Sequence, residues 1–344
     1  MGSWEMTQHL IQTRRILLTG GAGFIGSHTY VALVRAGYSV AILDNFANAR
    51  RDVPDRLAQI VNAPTTVYDC DIRSEKDVSQ VFDSERFDAV VHFAALKSVP
   101  EGQADPLGYY ETNCGGLFNI ASAMKATGVE KMVFSSSAAI YGEPAEMPIR
   151  EDSRPSPQSV YAQTKLVGEE FLTSLSAADQ DLQVGILRYF NPVGAHPSGL
   201  IGEDPSQPPT NLVPVIARVA LGLIPSLTVY GGDYPTADGT GVRDYIHVQD
   251  LAHGHVLSLD ALFAGRGNHC VNLGTGTGYS VLDVVKAYER ASGQHIPYEI
   301  TNRRPGDPAV SCAATDLARK LLGFEAQLGL DDMCAGNWQF IKEA

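Results

Sequence analysis

Nowhere in this chain does an apolar run approach the length of a membrane span, and the opening MGSWEMTQHLIQTRR has neither an apolar core nor a small-residue cleavage site. Neither a spanning helix nor a secretion signal is expected, and the first dozen residues read as a loosely ordered extension. Positive charge is also in short supply: 26 Lys and Arg stand against 39 Asp and Glu, a net charge of −13. That balance argues against nucleic acid or an anionic membrane as partner, since both need a cationic face. Any anionic ligand must be met by local basic residues or by helix N-termini. Cysteine is sparse as well. Cys70, Cys114, Cys270, Cys312 and Cys334 lie far apart, odd in number and with no C-x-x-C pair, as in a cytoplasmic protein with reduced thiols. No metal is expected either. His253 and His255 are one residue apart on a predicted helix, so they face different ways, and spacing places no third ligand. Internal repeats and low-complexity tracts are absent.

What is present is ordinary globular material, 44% hydrophobic and 19% charged over 344 residues, long enough for two lobes. From Arg15 to Phe190, short apolar runs alternate with segments of helical period. The runs ILLTG, VAILD, TVYDCDI, AVVHFAA, MVFSSSA and VGILRYF are nearly continuously apolar, as strands buried on both faces should be. Helices are predicted between them at Ile25–Ala36, Glu75–Ser84, Leu107–Thr127 and Val160–Ala177, with Gly37 and Gly128 as stops. Alternation without hairpin signals predicts an α/β fold, a doubly wound parallel sheet. After Phe190 the stretch NPVGAHPSGLIGEDPSQPPT is too rich in Pro and Gly for regular structure and reads as a long functional loop. A mixed region follows, with helices near Leu212–Leu221, Leu251–Leu262, Val281–Ala291 and Thr315–Leu322 and a short strand LTVYG. This is the expected ligand-shaping lobe.

GGAGFIG, residues 20–26, follows the first run and opens the first predicted helix. In that setting Gly20 serves a tight turn, Gly23 lets a pyrophosphate approach the backbone, and Gly26 lets helix pack on strand. The second run ends in Asp44, placed to accept from the ribose hydroxyls of an adenosine. Its charge would repel a 2′-phosphate, which favours NAD over NADP, a preference tempered by the nearby Arg50 and Arg51. Ligands of such sheets sit at the carboxyl ends of the strands. Those ends carry Asp71 and Ile72, then Lys97, then Ser135 to Ser137, then RYFNPVG. In SVYAQTKLVGEE, Tyr161 and Lys165 stand four apart and so share a helix face. Alone, that spacing is commonplace. Following a serine-ended strand, it brings a hydroxyl, a phenol and an amine to the nucleotide cleft. A phenol of pKa roughly 10 is a poor base at neutral pH unless positive charge favours the phenolate. Lys165 and an oxidised nicotinamide would both supply it, making Tyr161 a general base and Ser137 a partner for the substrate oxygen.

With these residues in view, the chain resembles the extended short-chain dehydrogenase/reductase family and, within it, the UDP-hexose 4-epimerases. LLTGGAGFIGSHT, LDN, FSSSAAIYG, YAQTK, RYFNPVGAHPSG, YPTADGTGVRDYIHV and GHVLSLDAL carry the likeness from the first strand to past residue 260. The resemblance implies a Rossmann domain over residues 12–190 plus about 240–276, and a UDP-sugar lobe over about 191–239 and 277–344. It implies that Phe24, Ile25, Asp44, Asn45, Asp71, Ile72, Phe93, Ala94, Ala95, Lys97, Asn113, Tyr161, Lys165 and Phe190 contact tightly bound NAD. Asn191, Asn211, Leu212, Tyr230, Arg243, Arg304 and Asp307 are implied to hold the UDP-sugar, with Lys97 and Ser137 also on the substrate side. Arg243 and Arg304 offer the local cations that a diphosphate needs in an acidic protein. The implied reaction interconverts UDP-galactose and UDP-glucose through a 4-keto sugar, and the implied assembly is a homodimer paired through Leu107–Thr127 and Val160–Ala177.

Two departures matter. Val160 stands where the family often has proline, which alters only the helix start. In GDPAVSCAATD, an ungapped alignment from Asp307 puts Ser311 at the wall beside the hexose 2-substituent, and a shift of one residue puts Cys312 there. A small residue there leaves room for UDP-N-acetylhexosamines. The rival reactions are a nucleotide-sugar 4,6-dehydratase, a net NAD-dependent UDP-sugar oxidoreductase and, outside catalysis, a nucleotide sensor. The dehydratase relatives carry an Asp-Glu pair just after the strand-end hydroxyl, where this chain has Ala138 and Ala139. A sensor has no need of Ser137, Tyr161 and Lys165 together.

Overall fold

The computed structural model describes residues 13–204, 211–304 and 306–343, and the expected N-terminal extension lies outside them. All six apolar runs form strands: β1 (Arg15–Thr19), β2 (Ser39–Asp44), β3 (Thr66–Asp69), β4 (Ala89–His92), β5 (Lys131–Ser137) and β6 (Gln183–Tyr189). Seven more follow: β7 (Asn191–Val193), β8 (Leu227–Tyr230), β9 (Val242–His247), β10 (His269–Leu273), β11 (Gly278–Ser280), β12 (Tyr298–Thr301) and β13 (Val310–Ser311). The main sheet has the order β10-β6-β5-β4-β1-β2-β3 and every pairing in it is parallel. This is the doubly wound sheet expected. Within β1, Ile16 and Leu18 join the apolar layer on one face and Leu17 the layer on the other, so the strand's middle is apolar on both sides. Strand order reverses beside β1, which has β2 on one side and β4 on the other, and the carboxyl ends open a crevice there.

Outside the main sheet, β9 pairs with β7, β11 and β13, while β8 pairs with β12. Helices Leu212–Ala220, Val281–Ser292 and Leu330–Glu343 pack on these strands through a third apolar cluster that includes Ile216, Val284, Tyr288 and Met333. Among the described residues no helix is long and apolar enough to cross a membrane.

Asn191–Val193, expected to be irregular, forms β7 because β9 offers it a parallel partner, and the helices Val53–Val61 and Leu330–Glu343 were not predicted. Two further differences bear on the sheet and the site. Leu107–Thr127 is not one regular helix: a short helix Pro106–Tyr110 passes through a π-helical turn, Glu111–Gly115, into the helix Gly116–Thr127. The turn brings Asn113 inward, where its Nδ2 donates to Leu96 O at 2.9 Å and to Thr164 Oγ1 at 2.9 Å, and its Oδ1 accepts from Leu96 N at 2.8 Å. Such insertions mark places where tertiary bonds outweigh helical ones. The second difference is β10, HCVNL, which adds a seventh strand to the main sheet. Its polar residues are satisfied inside: Asn272 Oδ1 accepts from Tyr141 OH at 2.7 Å, and His269 Nε2 lies 2.7 Å from Ser258 Oγ.

Candidate active site

The glycine turn takes the conformation its residue types require. Gly20 has φ +69°, where a Cβ would lie 2.7 Å from Ala94 N, and a Cβ on Gly26 would lie 2.3 Å from Gly20 O. Gly23 differs, since its Cβ would meet only Gly20 O at 3.3 Å, so that direction stays open to the cleft. Gly23 is also the N-cap of helix Phe24–Arg35, and no side chain caps it, which leaves the first helical N–H groups free for an anion. Asp44 is buried, its Oδ2 accepting from Ala22 N at 3.0 Å and its Oδ1 from Phe46 N at 2.9 Å. Burial raises its carboxyl above the usual value while these backbone bonds pull it down. Each oxygen keeps a further lone pair for a ribose hydroxyl. The arginines that tempered the choice of NAD are paired with carboxylates: Arg50, itself at the cleft, with Asp52 at 3.1 Å and Asp204 at 3.4 Å, and Arg51 with Asp69 at 2.7 Å. Uncapped helix, open glycine and acceptor carboxylate together fit an unphosphorylated dinucleotide.

One cleft of about 330 Å³ gathers Gly20, Gly23, Phe24, Ile25, Gly26, Asp44, Asn45, Asp71, Ile72, Phe93, Ala94, Ala95, Lys97, Ser137, Tyr161, Lys165, Phe190 and Asn211. These come from the ends of β1 to β6 and the helices that follow, although they are scattered through the sequence. Asn113 is not among them, because its amide is taken up by Leu96 and Thr164. Asp71 is held well below the ordinary carboxylate value, to about 2, chiefly by the Arg73 guanidinium. Sequence reasoning missed Glu203, which also lines the cleft. Its Oε1 accepts from Lys97 Nζ at 3.2 Å and from Asn211 Nδ2 at 2.8 Å, joining the β4 side to the start of helix Leu212–Ala220. Nothing in the period or spacing of GEDP announces this; it depends on where the loop folds back.

At the inner end of the cleft, Ser159 caps helix Val160–Ala178 by accepting from Ala162 N, and the first turns present Tyr161 and Lys165. Lys165 Nζ donates to Ser135 O at 2.7 Å and lies 5.9 Å from the centre of the Tyr161 ring. Burial lowers its ammonium to about 8, partly offset by Cys114 and Glu169. The Tyr161 phenol is raised by burial, and its hydrogen bond with Ser137 only partly counters this. In the chain alone the Lys165 ammonium donates to the Ser135 carbonyl, and the phenol stands raised. The lowering expected from the sequence has to come with positive charge delivered to the cleft. Ser137 is fixed by accepting from Ala139 N at 3.2 Å, and the turn Ala138–Tyr141 carries no acid.

The remaining predicted positions lie outside the main sheet. Arg304 stacks on Tyr230, 3.8 Å from its ring centre. Arg243 Nη1 donates to Pro308 O at 2.8 Å, and its Nη2 lies 3.6 Å from Asp307. Asn191 starts β7 opposite Tyr245, and Leu212 packs against the third apolar cluster. Ser311 pairs with Arg243 across β13 and β9 and so shares its face, whereas the Cys312 thiol lies 3.8 Å from buried Asp244.

Residues 16–274 match the model of the NAD dependent epimerase/dehydratase family. The chain belongs to that family. It is 50% identical over 325 residues to a UDP-glucose 4-epimerase of Bacillus subtilis (strain 168), with 94% of this chain and 96% of the relative covered. It is also similar to the crystal structure of UDP-glucose-4-epimerase from Stenotrophomonas maltophila with bound NAD and formylated UDP-arabinopyranose. The TM-score is 0.94, the identity 46%, and 96% of this chain and 98% of that one are covered. The Bifidobacterium longum UDP-glucose 4-epimerase in complex with NAD+ and UDP gives a TM-score of 0.91 at 46% identity, covering 96% of this chain and 98% of its own.

Proposed function

We propose that this member of the family is a redox-neutral epimerase that interconverts UDP-galactose and UDP-glucose with NAD held throughout the cycle. One observation carries the reading: Ser137, Tyr161 and Lys165 share a cleft with the uncapped glycine turn and Asp44, and the turn after Ser137 holds alanines where a dehydratase needs acids. The cradle residues named above would hold the dinucleotide, its pyrophosphate at Gly23 and its ribose hydroxyls at Asp44. Bound there, NAD supplies reversible hydride acceptance from C4 of the hexose. Tyr161 takes the proton of the 4-hydroxyl and later returns it, and Ser137 hydrogen-bonds the same oxygen. The 4-keto sugar turns over between these two proton transfers, and Arg243, Arg304 and Asp307 keep the UDP end anchored. The division into a Rossmann part, 12–190 with about 240–276, and a UDP-sugar lobe belongs to the same proposal.

Five free cysteines support a reducing, cytoplasmic setting. The exposed Leu107, Tyr110 and Phe118 support pairing of two copies through Leu107–Thr127 and Val160–Ala177. Ser311, small and on the face of Arg243, supports acceptance of UDP-N-acetylhexosamines. Separate incubations with UDP-galactose and UDP-N-acetylgalactosamine, products identified by NMR and absorbance followed at 340 nm, test both points. The expected outcome is the 4-epimer from each and no growth of NADH. Absence of the second product alone withdraws the role of Ser311, and steady NADH growth favours the oxidoreductase.

A further inference from the structure

Behind the cleft lies a buried charge pair that the mechanism above does not use. Glu169, one helical turn beyond Lys165, meets Arg188 of β6 on both edges, Nε to Oε1 at 2.9 Å and Nη2 to Oε2 at 2.6 Å. Both residues are buried. Ser136 Oγ donates to the same Oε1 at 2.5 Å. The three serines ending β5 are thereby divided: Ser135 O receives Lys165, the Ser136 hydroxyl holds Glu169, and the Ser137 hydroxyl serves Tyr161. The network continues outward. Arg188 Nη1 donates to Tyr141 OH at 2.8 Å, and Tyr141 donates to Asn272, whose Nδ2 donates to Ile149 O at 2.9 Å. Ile149 N in turn donates to Cys312 O at 2.8 Å, beside Ser311. A buried ion pair is often no better for stability than apolar residues of the same volume, so folding alone does not account for this arrangement.

We propose that Glu169 is a positioning residue for the reaction: clamped by Arg188 and Ser136, it sets the catalytic helix against the serine strand end and places a negative charge beside Lys165. The inference rests on the epimerase reading. The groups that face Lys165 are Glu169 and Tyr161 on its own helix, Cys114 from the π turn and His92 from β4. Burial keeps the Cys114 thiol raised and the His92 ring lowered to about 3, so neither carries charge at neutral pH. Glu169 is thus the carboxylate acting on Lys165, and it favours the ammonium. Removing its charge must lower the pH at which Lys165 loses its proton.

Glu169→Gln is the direct test. Glu169→Gln/Arg188→Met, which removes both charges, guards against the misfolding that an unpaired buried arginine invites. Thermal melting first establishes which variant folds, and kcat and KM for UDP-galactose are then measured against pH. For Glu169→Gln the expected result is an alkaline limb of kcat moved down by about one pH unit, with KM changed less than about threefold; the double variant, which loses the Arg188 cation with the carboxylate, should shift less but still lose kcat through the freed helix. An alkaline limb at the unmodified position in folded Glu169→Gln, or an unchanged kcat in the folded double variant, overturns the proposal. Failure of both variants to fold also overturns it, since the pair would then be structural. Absence of epimerisation by the unmodified protein sinks the functional reading itself, whereas an unshifted limb in active Glu169→Gln sinks this inference alone.

Discussion

Tyr161→Phe retains NAD and loses turnover: kcat for UDP-galactose is expected to fall roughly 100- to 10,000-fold, the usual contribution of a positioned general acid–base. The ring stays, so the packing of the first turn of Val160–Ala178 is kept, and only the oxygen beside Ser137 is removed. Ser137 cannot replace it, since a serine hydroxyl is a far weaker acid than a phenol and its oxygen already accepts from Ala139 N. Initial rates, with NAD released by denaturation and counted, read both halves of the expectation. Activity within tenfold of the unmodified protein would remove Tyr161 from the chemistry. Loss of NAD along with activity would make it a binding residue.

The second large effect concerns the cradle, where two glycines should fail in different ways. Gly26→Ala drives a Cβ to 2.3 Å from Gly20 O, so the turn between β1 and its helix must shift. It is expected to lose about 1–3 kcal/mol of stability through overpacking and to release its cofactor. Gly23→Ala meets only Gly20 O at 3.3 Å and projects into the cleft. Its cofactor-free melting temperature should match that of the unmodified protein, while NAD affinity falls at least about tenfold, which is 1.4 kcal/mol. Calorimetric binding and melting of cofactor-free protein separate the two. Equal losses of stability in both variants would contradict the assignment of Gly23 to the ligand.

These cradle positions were legible because they are local. Strand, turn and helix follow one another within residues 15–35, and the positive φ of Gly20 and the crowding at Gly26 are consequences of that turn. Tyr161 and Lys165 were legible for the same reason, through helical spacing. What stayed hidden depends on distant partners. Glu169 lies four residues past Lys165 in plain view, yet its meaning rests on Arg188 across the sheet. The partners of Asn113 were hidden too, since a π turn that no periodicity announces directs its amide to Leu96 and Thr164. Which of Ser311 and Cys312 shares the face of Arg243 depends on the register of β13 on β9, which is set by chain far from both. β10 escaped notice because His269 and Asn272 break its apolar run, and only the folded chain shows Ser258 and Tyr141 satisfying them.

The central claim is that the hydrogen taken from C4 is the one given back, with the opposite configuration. UDP-galactose carrying deuterium at C4, incubated with the holoenzyme in ordinary water and analysed by NMR and mass spectrometry, tests it most directly. The expected product is UDP-glucose with the deuterium still on C4. Label lost to solvent, or no 4-epimer formed, would contradict the account.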